Sequence, residues 1–307
     1  MDDPADDKNT LKTFMAWVAS FELASYSSLL IFAGYMIVKY LVLQKKHEIT
    51  YLTTFYSLTV ALAVSRICHF TMFFRYSGEH VYQDYITDVA MVICPQFKIL
   101  IGLVQVAIMV ELGIMVQLSA RKLTPEEADQ KISKVRTALK LTFACFSAVG
   151  IFLIINTFYS DPVIVADPTK WHLIADTIIL PFELILVAIF LSSAYLYLSM
   201  NIKKYFAKEL QEEGKRIRAI FVFFSLSYIS RATVYLLAQF EVIKHPYAVH
   251  FIMYFFWDVL PISSIMIYHL KAFRAEEKER NKPAVDWTRQ SDASHSSAIN
   301  TDTDSEA

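Results

Sequence analysis

Seven stretches of mostly apolar residues constrain the fold more than any other feature of the sequence. The hydrocarbon core of a membrane, about 30 Å thick, is crossed by roughly 20 helical residues that rise about 1.5 Å each. Windows of this length and character span residues 23–43, 51–74, 89–118, 139–159, 173–200, 217–240 and 249–270. They predict an all-α protein built as a bundle of seven transmembrane helices.

The Lys and Arg residues outside these windows predict the orientation of the chain. Nineteen of them follow windows one, three, five and seven, whereas five lie on the opposite side. Because cytosolic loops are enriched in Lys and Arg, we expect the N-terminus outside the cytosol and the C-terminus inside it, a receptor-like topology. The chain then has an acidic non-cytosolic N-terminus at 1–20 and a transmembrane domain at 21–274. The cytosolic tail at 275–307 is rich in Ser, Thr and acids and is predicted to be disordered.

The composition argues against several classes of protein. Hydrophobic residues make up 55% of the 307 residues and charged residues 19%, which favours lipid over water as the main solvent. The formal net charge of −1 indicates no nucleic-acid partner. Motifs such as GxGxxG, HExxH and GxSxG are missing from the sequence. We therefore predict no enzymatic activity, no catalytic residue and no cofactor.

Three cysteines, Cys68, Cys94 and Cys145, lie far apart in apolar stretches. They have neither the CxxC spacing of a metal or redox site nor the density of a disulfide scaffold. The sequence therefore predicts buried, inert thiols and no metal site.

Two basic loops, at 119–138 and 201–218, are predicted to face the cytosol together with the tail. In the first loop, Thr124 can cap a helix that has Pro125 at its first position, so the fourth helix should project beyond the membrane. In the second, Gly214 predicts a break before the sixth span. Besides membrane lipid, the expected partners are cytosolic proteins that contact these loops, although a solvated face without a partner has the same pattern.

Ionisable residues inside the predicted spans need a partner, a cavity or a function, because each costs roughly 2.5–3.5 kcal/mol at mid-bilayer. The windows contain Arg66, His69, Lys98, Glu111, Asp176, Glu183, Arg231 and Asp258. Three cations and two acids fall in one layer near mid-membrane, and their charges can neutralise each other: Arg66, Lys98, Glu183, Arg231 and Asp258. Asp176 and His69 extend this layer outward. Glu111 lies alone in the cytosolic half of span three, where a helix-to-helix hydrogen bond is favoured over a separate site.

Three prolines mark the same level of the membrane. Pro95, Pro181 and Pro261 each lie two or three residues from one of the charges. Each removes a backbone hydrogen bond and can kink its helix, so a neighbour or water must satisfy the freed carbonyl. Two interpretations stay open: a hydrated polar pocket for a ligand or ion, and buried ion pairs that only fix helix pairing, such as Arg231 with Asp258.

The polar residues of the spans also occur in a combination typical of a known family. The residues that carry it are Arg66 in span two, Glu111 near the exit of span three, Arg231 in span six, and His245, Pro246, Asp258, Leu260 and Pro261 in span seven. Together they resemble the plant tobamovirus multiplication protein family of seven-span membrane proteins, to which an animal orphan-receptor-like lysosomal family is related. The resemblance covers residues 51–274, and Lys98 and Asp176 have no counterpart in its motifs.

This resemblance implies a multi-pass endomembrane protein, vacuolar or lysosomal, with no known enzymatic activity. It implies a role as a membrane platform or receptor-like adaptor for cytosolic partners, including small GTPase-linked complexes. One alternative is a seven-transmembrane receptor with its ligand in the polar layer, although the Asp-Arg-Tyr and Asn-Pro-x-x-Tyr motifs are missing. The other is a proton- or ion-coupled transporter that would use His69, Asp176, Glu183 and Asp258, although the sequence has no internal repeat.

Overall fold

A computed structural model describes residues 4–39, 51–75, 80–159, 178–205, 208–240 and 252–280, together with Val242 and Val249. Three residues of the sequence-based predictions, Asp176, His245 and Pro246, lie outside the described residues. The predicted tail from residue 281 onward lies outside them as well.

The regular structure of the described residues is helical throughout. The helices are α1 (Pro4–Val38), α2 (Tyr51–Arg75), α3 (His80–Ser119), α4 (Pro125–Tyr159), α5 (Leu180–Tyr205), α6 (Lys208–Gln239), a π-helical turn (Phe255–Val259) and α7 (Leu260–Arg280). Seven helical segments in this part of the chain are long and apolar enough to cross a membrane, the last of them running through the π-helical turn. They confirm the predicted all-helical class and support a multi-pass membrane protein.

The ends of the helices differ in part from those predicted. α1 begins at Pro4, inside the segment assigned to the N-terminus, and α7 extends to Arg280. α6 runs without interruption through Gly214, so the predicted break at that glycine is wrong. A glycine inside a helix costs about 1 kcal/mol relative to alanine, which the packing of its neighbours can offset.

The start of α4 confirms the predicted cap. The Glu127 backbone N–H donates to Thr124 Oγ1 at 3.2 Å, and the Thr124 backbone N–H donates to Glu127 Oε2 at 2.9 Å. This reciprocal capping box satisfies two backbone donors at the helix start. Pro125 takes the first helical position, where its missing N–H costs nothing.

The first of two compact units, Met1–Met266, contains most of the membrane-crossing helices. Within it α3 packs against α2, α4 and α5, α5 packs against α6, and α1 packs against α2. The π-helical turn contacts both α1 and α6. In the most apolar window of α3, 56% of the residues are buried, so α3 is central. In that of α4 only 17% are buried, so α4 leaves most of its surface to lipid.

The second unit, Ile267–Ala307, is described only as far as Arg280. Its described part is residues 267–280 of α7, in which the rings of Tyr268 and His269 pack at 6.5 Å between centroids.

Close helix contacts are made where glycines of α3 and α4 face large side chains. A Cβ at Gly102 would lie 2.6 Å from Tyr228 Oη and from Val187 Cγ1, so only glycine fits the present packing there. Gly150 of α4 likewise leaves room for the Gln96 side chain, whose Oε1 would lie 2.7 Å from an added Cβ. These glycines make room for the side chains of Val187 and Tyr228 beside α3 and for that of Gln96 beside α4.

The cysteines are less buried than the sequence suggests. Cys94 is buried, whereas Cys68 and Cys145 are exposed on their helices. The prediction of buried thiols therefore holds for one of the three. An exposed side chain on a membrane-crossing helix faces lipid rather than water, which an apolar sequence context does not distinguish from a protein core.

Candidate functional site

Asp258 lies in the π-helical turn and is fully buried. Arg231 Nη1 donates to its Oδ1 at 2.9 Å, and Lys98 Nζ lies 3.8 Å from the same oxygen. Its Oδ2 accepts hydrogen bonds from Tyr26 Oη at 3.0 Å and from Arg66 Nη2 at 3.4 Å. These five residues, named here the Asp258 cluster, join α1, α2, α3 and α6 to the π-helical turn. The predicted pairing of Arg231 with Asp258 is present.

Aromatic rings surround the three cations of the cluster. The Tyr254 ring centroid lies 3.6 Å from Arg66 Cζ, and the Trp257 ring lies 5.3 Å from Arg231 Cζ. Lys98 Nζ lies 4.7 Å from the centroid of Phe224. The negative face of an aromatic ring attracts a cation, most strongly where water is excluded. The rings thus add to the stabilisation that one carboxylate supplies.

Pro261 explains why Lys98 enters this cluster. A proline has no N–H, so the carbonyl four residues earlier in the helix, that of Trp257, loses its usual donor. Lys98 Nζ donates to this carbonyl oxygen while it faces Asp258. A side chain of α3 therefore takes the place of the missing backbone donor in the seventh span.

Pro95 has the same effect in α3. The carbonyl four residues earlier belongs to Met91, and Tyr235 Oη of α6 donates to it at 2.8 Å. For both prolines a neighbouring helix supplies the donor, as the position of the prolines within membrane spans predicts. The third proline, Pro181, would free the carbonyl of residue 177, which lies outside the described residues.

Glu22 is a buried acid that the sequence-based predictions do not include. Its side chain is 1% exposed, and its Oε1 accepts a hydrogen bond at 2.9 Å from the backbone N–H of Phe255, the first residue of the π-helical turn. The first apolar window begins one residue later, at residue 23, and therefore does not include Glu22. The available signal was the pair Glu22 and Tyr26, four residues apart and hence on one face of a helix.

Glu183 does not contact the cations, although the sequence predicts all five charges in one layer of the membrane. It accepts a hydrogen bond at 2.8 Å from Gln96 Nε2, and no cation lies within ion-pair distance of it among the described residues. Three cations therefore face one carboxylate in the Asp258 cluster. His69 lies beside this cluster, with its ring centroid 6.4 Å from that of Tyr254, the ring that stacks on Arg66.

Glu111 connects two helices. Arg136 Nε of α4 donates to Glu111 Oε1 at 2.9 Å, and Arg136 is 58% exposed while Glu111 is 17% exposed. This is the helix-to-helix contact that the sequence favours for Glu111. It lies apart from the Asp258 cluster and is not fully desolvated.

The polar ends of α3 and α5 form a second group of interest. Gln117 Nε2 of α3 donates to Tyr197 Oη at 3.1 Å and to Asn201 Oδ1 at 3.0 Å on α5. A tight turn follows α3, in which Arg121 has a φ of 54° and the Lys122 backbone N–H donates to the Gln117 carbonyl at 3.0 Å. Glycine is the usual residue at this left-handed position, so an arginine there is held at a steric cost.

The chemistry available to the Asp258 cluster follows from its charges. Arg66 Nε and Nη1, and Arg231 Nε and Nη2, have no hydrogen-bond partner of normal geometry among the described residues. Within the described part of the chain, no group of three or more His, Cys, Asp or Glu could hold a metal ion. The cluster can therefore act as a helix-pairing centre or accept a further anion.

Comparisons with models of protein families, with curated proteins and with solved structures give no match to this chain. The resemblance to the tobamovirus multiplication proteins thus depends on residues of the sequence alone. Four of these residues, Arg66, Arg231, Asp258 and Pro261, lie in or beside the Asp258 cluster.

Proposed function

We propose that this chain is a non-enzymatic, multi-pass endomembrane protein that acts as a membrane platform, or receptor-like adaptor, for cytosolic proteins. The observation that carries the proposal is that its two basic segments, 119–138 and 201–218, begin at helix ends that contact each other. Gln117 at the end of α3 bonds to Tyr197 and Asn201 near the end of α5, so the segments that follow these helices start from one joined end.

The first segment is built as a rigid surface. A tight turn with Arg121 in the left-handed region leads directly into the capped start of α4. Strained residues are retained where the surroundings or a function require them. An exposed arginine in place of glycine keeps a guanidinium at the tip of the turn, where a protein partner can reach it.

The charge asymmetry of the sequence supports the orientation in this proposal. The 19 Lys and Arg residues on one side of the predicted spans include both basic segments and the tail. The resemblance to the tobamovirus multiplication proteins supports the endomembrane location, vacuolar or lysosomal, and small GTPase-linked complexes as partners. Microscopy of a tagged full chain tests the location, and a plasma-membrane signal would contradict it.

Proximity labelling in cells tests the platform function. The variant combines Arg121→Gln and Lys122→Gln in the first segment with Lys203→Gln and Lys204→Gln in the second. We expect the cytosolic proteins labelled by the wild-type chain to be lost, because the basic surface is neutralised at both positions. Most of the 19 cations on that side remain, so the orientation should be kept.

The matched control is Lys45→Gln with Lys46→Gln, two cations between the first and second predicted spans, on the same predicted side and outside both basic segments. It should retain most of the labelled proteins if the joined end is the binding surface. An unchanged set of labelled proteins in the four-residue variant would contradict the proposal.

A receptor with a small anionic ligand is the second candidate, because three cations face one carboxylate in the Asp258 cluster. Buried guanidinium groups bind carboxylates and phosphates through paired hydrogen bonds. Its test is a thermal-stability scan of the purified full chain with small mono- and dicarboxylates and inorganic phosphate. A stabilising anion that no longer stabilises Arg231→Met would support it, and no stabilisation by any of these anions would contradict it.

A further inference from the structure

A cavity of about 210 Å³ lies between the end of α5 and the start of α6. Its polar lining consists of two hydroxyl groups, from Tyr195 and Ser199, and three cations, Lys203, Lys215 and Arg218. The other lining residues are apolar side chains and one glycine, and none of the described lining residues is acidic. The cavity is thus a small basic site that fits an anion.

Arg218 is held in place at the wall of this cavity. Its Nε donates to Tyr195 Oη at 2.8 Å, and the Tyr195 ring stacks on Phe221 with 6.3 Å between centroids. The two terminal nitrogens of the guanidinium are not used by this bond. Arginine terminal nitrogens bind phosphate oxygens in pairs, whereas lysine acts as a point charge, so Arg218 with two lysines suits a phosphate group.

The cavity continues into apolar surface along the same helices. Val222 and Leu226 follow Arg218 at intervals of four residues, which places all three on one face of α6, and they are 48% and 54% exposed. On α5, Leu196 precedes Ser199 by three residues and is 58% exposed. Acyl chains can lie against these side chains while a polar group occupies the cavity.

The size of the cavity also favours a headgroup. Pockets that enclose a whole drug-sized molecule have volumes of roughly 300–1,000 Å³. The cavity is smaller than this. It lies between the ends of two membrane-crossing helices, where basic pockets are known to bind lipid headgroups. A headgroup needs only part of its molecule enclosed, because its acyl chains remain in the bilayer.

We propose that this cavity binds the headgroup of an anionic phospholipid, one that carries a phosphate monoester. Lys203, Lys215 and Arg218 contact the phosphate, Tyr195 orients Arg218, and the exposed apolar faces of α5 and α6 contact the acyl chains. This lipid site goes beyond the proposed platform function and does not depend on it, since it needs no cytosolic protein.

The test uses the purified full chain in detergent micelles and native mass spectrometry with added short-chain lipids. Dioctanoyl phosphatidylinositol 4-phosphate should bind more tightly than dioctanoyl phosphatidylinositol, which lacks the monoester, and than dioctanoyl phosphatidylcholine. The triple variant Lys203→Gln, Lys215→Gln and Arg218→Gln should bind the phosphorylated lipid at least about tenfold more weakly, because each cation near a lipid surface contributes to binding.

Two further variants separate the loss of the lipid site from a loss of the folded structure. Ser199→Phe fills the cavity and leaves all three cations in place, and it should also weaken binding. The control Lys131→Gln, Lys134→Gln and Lys140→Gln removes three exposed cations of α4 and should bind the phosphorylated lipid like the wild type. A melting temperature measured for each variant identifies any that is unfolded.

Three results would overturn the proposal. Equal binding of phosphatidylinositol and its 4-phosphate would show that the monoester is not recognised. Binding of soluble inositol phosphate as tight as that of the lipid would identify a site for free phosphate compounds. An equal loss of binding in the α4 control and in the triple variant of the cavity would indicate nonspecific attraction between the lipid and the charges of the protein.

Discussion

The Arg231–Asp258 pair of the Asp258 cluster and the Arg136–Glu111 pair both join a guanidinium to a carboxylate, but they differ in burial. The Arg231 and Asp258 side chains are 1% and 0% exposed, whereas the Arg136 side chain is 58% exposed. Both pairs have a shortest N–O distance of 2.9 Å. The N–O distance alone therefore does not tell how much each pair contributes to stability. Removing one partner of a desolvated pair leaves a buried charge, which is costly. Removing one partner of a more exposed pair leaves a charge that water or polar groups can reach.

Asp258→Asn should have the largest effect on stability. It removes the negative charge that three buried cations share, and breaking a buried ion pair in this way costs roughly 3–5 kcal/mol. The free energy of unfolding of the purified full chain in micelles is the measurement.

The matched control for this change is Asp129→Asn, an exposed aspartate on α4. Its free energy of unfolding should be within about 0.5 kcal/mol of the wild type, as for most surface substitutions. A similar loss of stability in both variants would contradict the role assigned to Asp258.

Gly102→Ala should have an intermediate effect. The added Cβ would lie 2.6 Å from Tyr228 Oη, which itself donates to the Lys98 carbonyl, so the packing behind the Asp258 cluster must shift. Overpacking of this kind costs roughly 1–3 kcal/mol. The comparison is Gly34→Ala, where the new Cβ meets no atom within 4 Å apart from its own stretch of helix backbone, so helix propensity should leave stability unchanged or slightly raised. Equal melting temperatures for the two variants would show that α3, α5 and α6 do not need this close approach.

Arg136→Ala should have the smallest effect. Glu111 keeps some exposure, 17%, and Arg136 is 58% exposed, so this pair should contribute little more than a fully exposed pair, about 0–1 kcal/mol. The same unfolding measurement should therefore show a loss well below that of Asp258→Asn. A loss as large as that of Asp258→Asn would mean that the exposed fraction does not separate the two kinds of pair.

Much of the fold is readable from the sequence because lipid imposes a simple rule. Every backbone polar group in a membrane needs an internal partner, so apolar windows of about 20 residues become helices. The cap at Thr124 is equally local and was predicted correctly. The helix ends at Pro4 and Arg280 were not, since a helix can continue into polar sequence without an apolar signal.

The site was predictable only in part. Depth along each span placed Arg66, Lys98, Arg231 and Asp258 at one level, but it carries no information on which helix faces which. Depth alone therefore does not distinguish Glu183 from Asp258, although packing gives Glu183 a hydrogen bond from Gln96. The contact of Lys98 with the carbonyl that Pro261 frees depends on two helices far apart in sequence, and no local pattern identifies it.

A double-mutant cycle between Arg231 and Asp258 tests most directly whether the buried carboxylate holds the helices together as a shared counter-ion. The free energies of unfolding of the wild type, Arg231→Met, Asp258→Asn and the double variant are compared in the same micelles. We predict that the double variant is more stable than the sum of the single losses requires, with a coupling between about 0.5 and 3 kcal/mol. Losses that add to within about 0.3 kcal/mol would contradict the shared counter-ion.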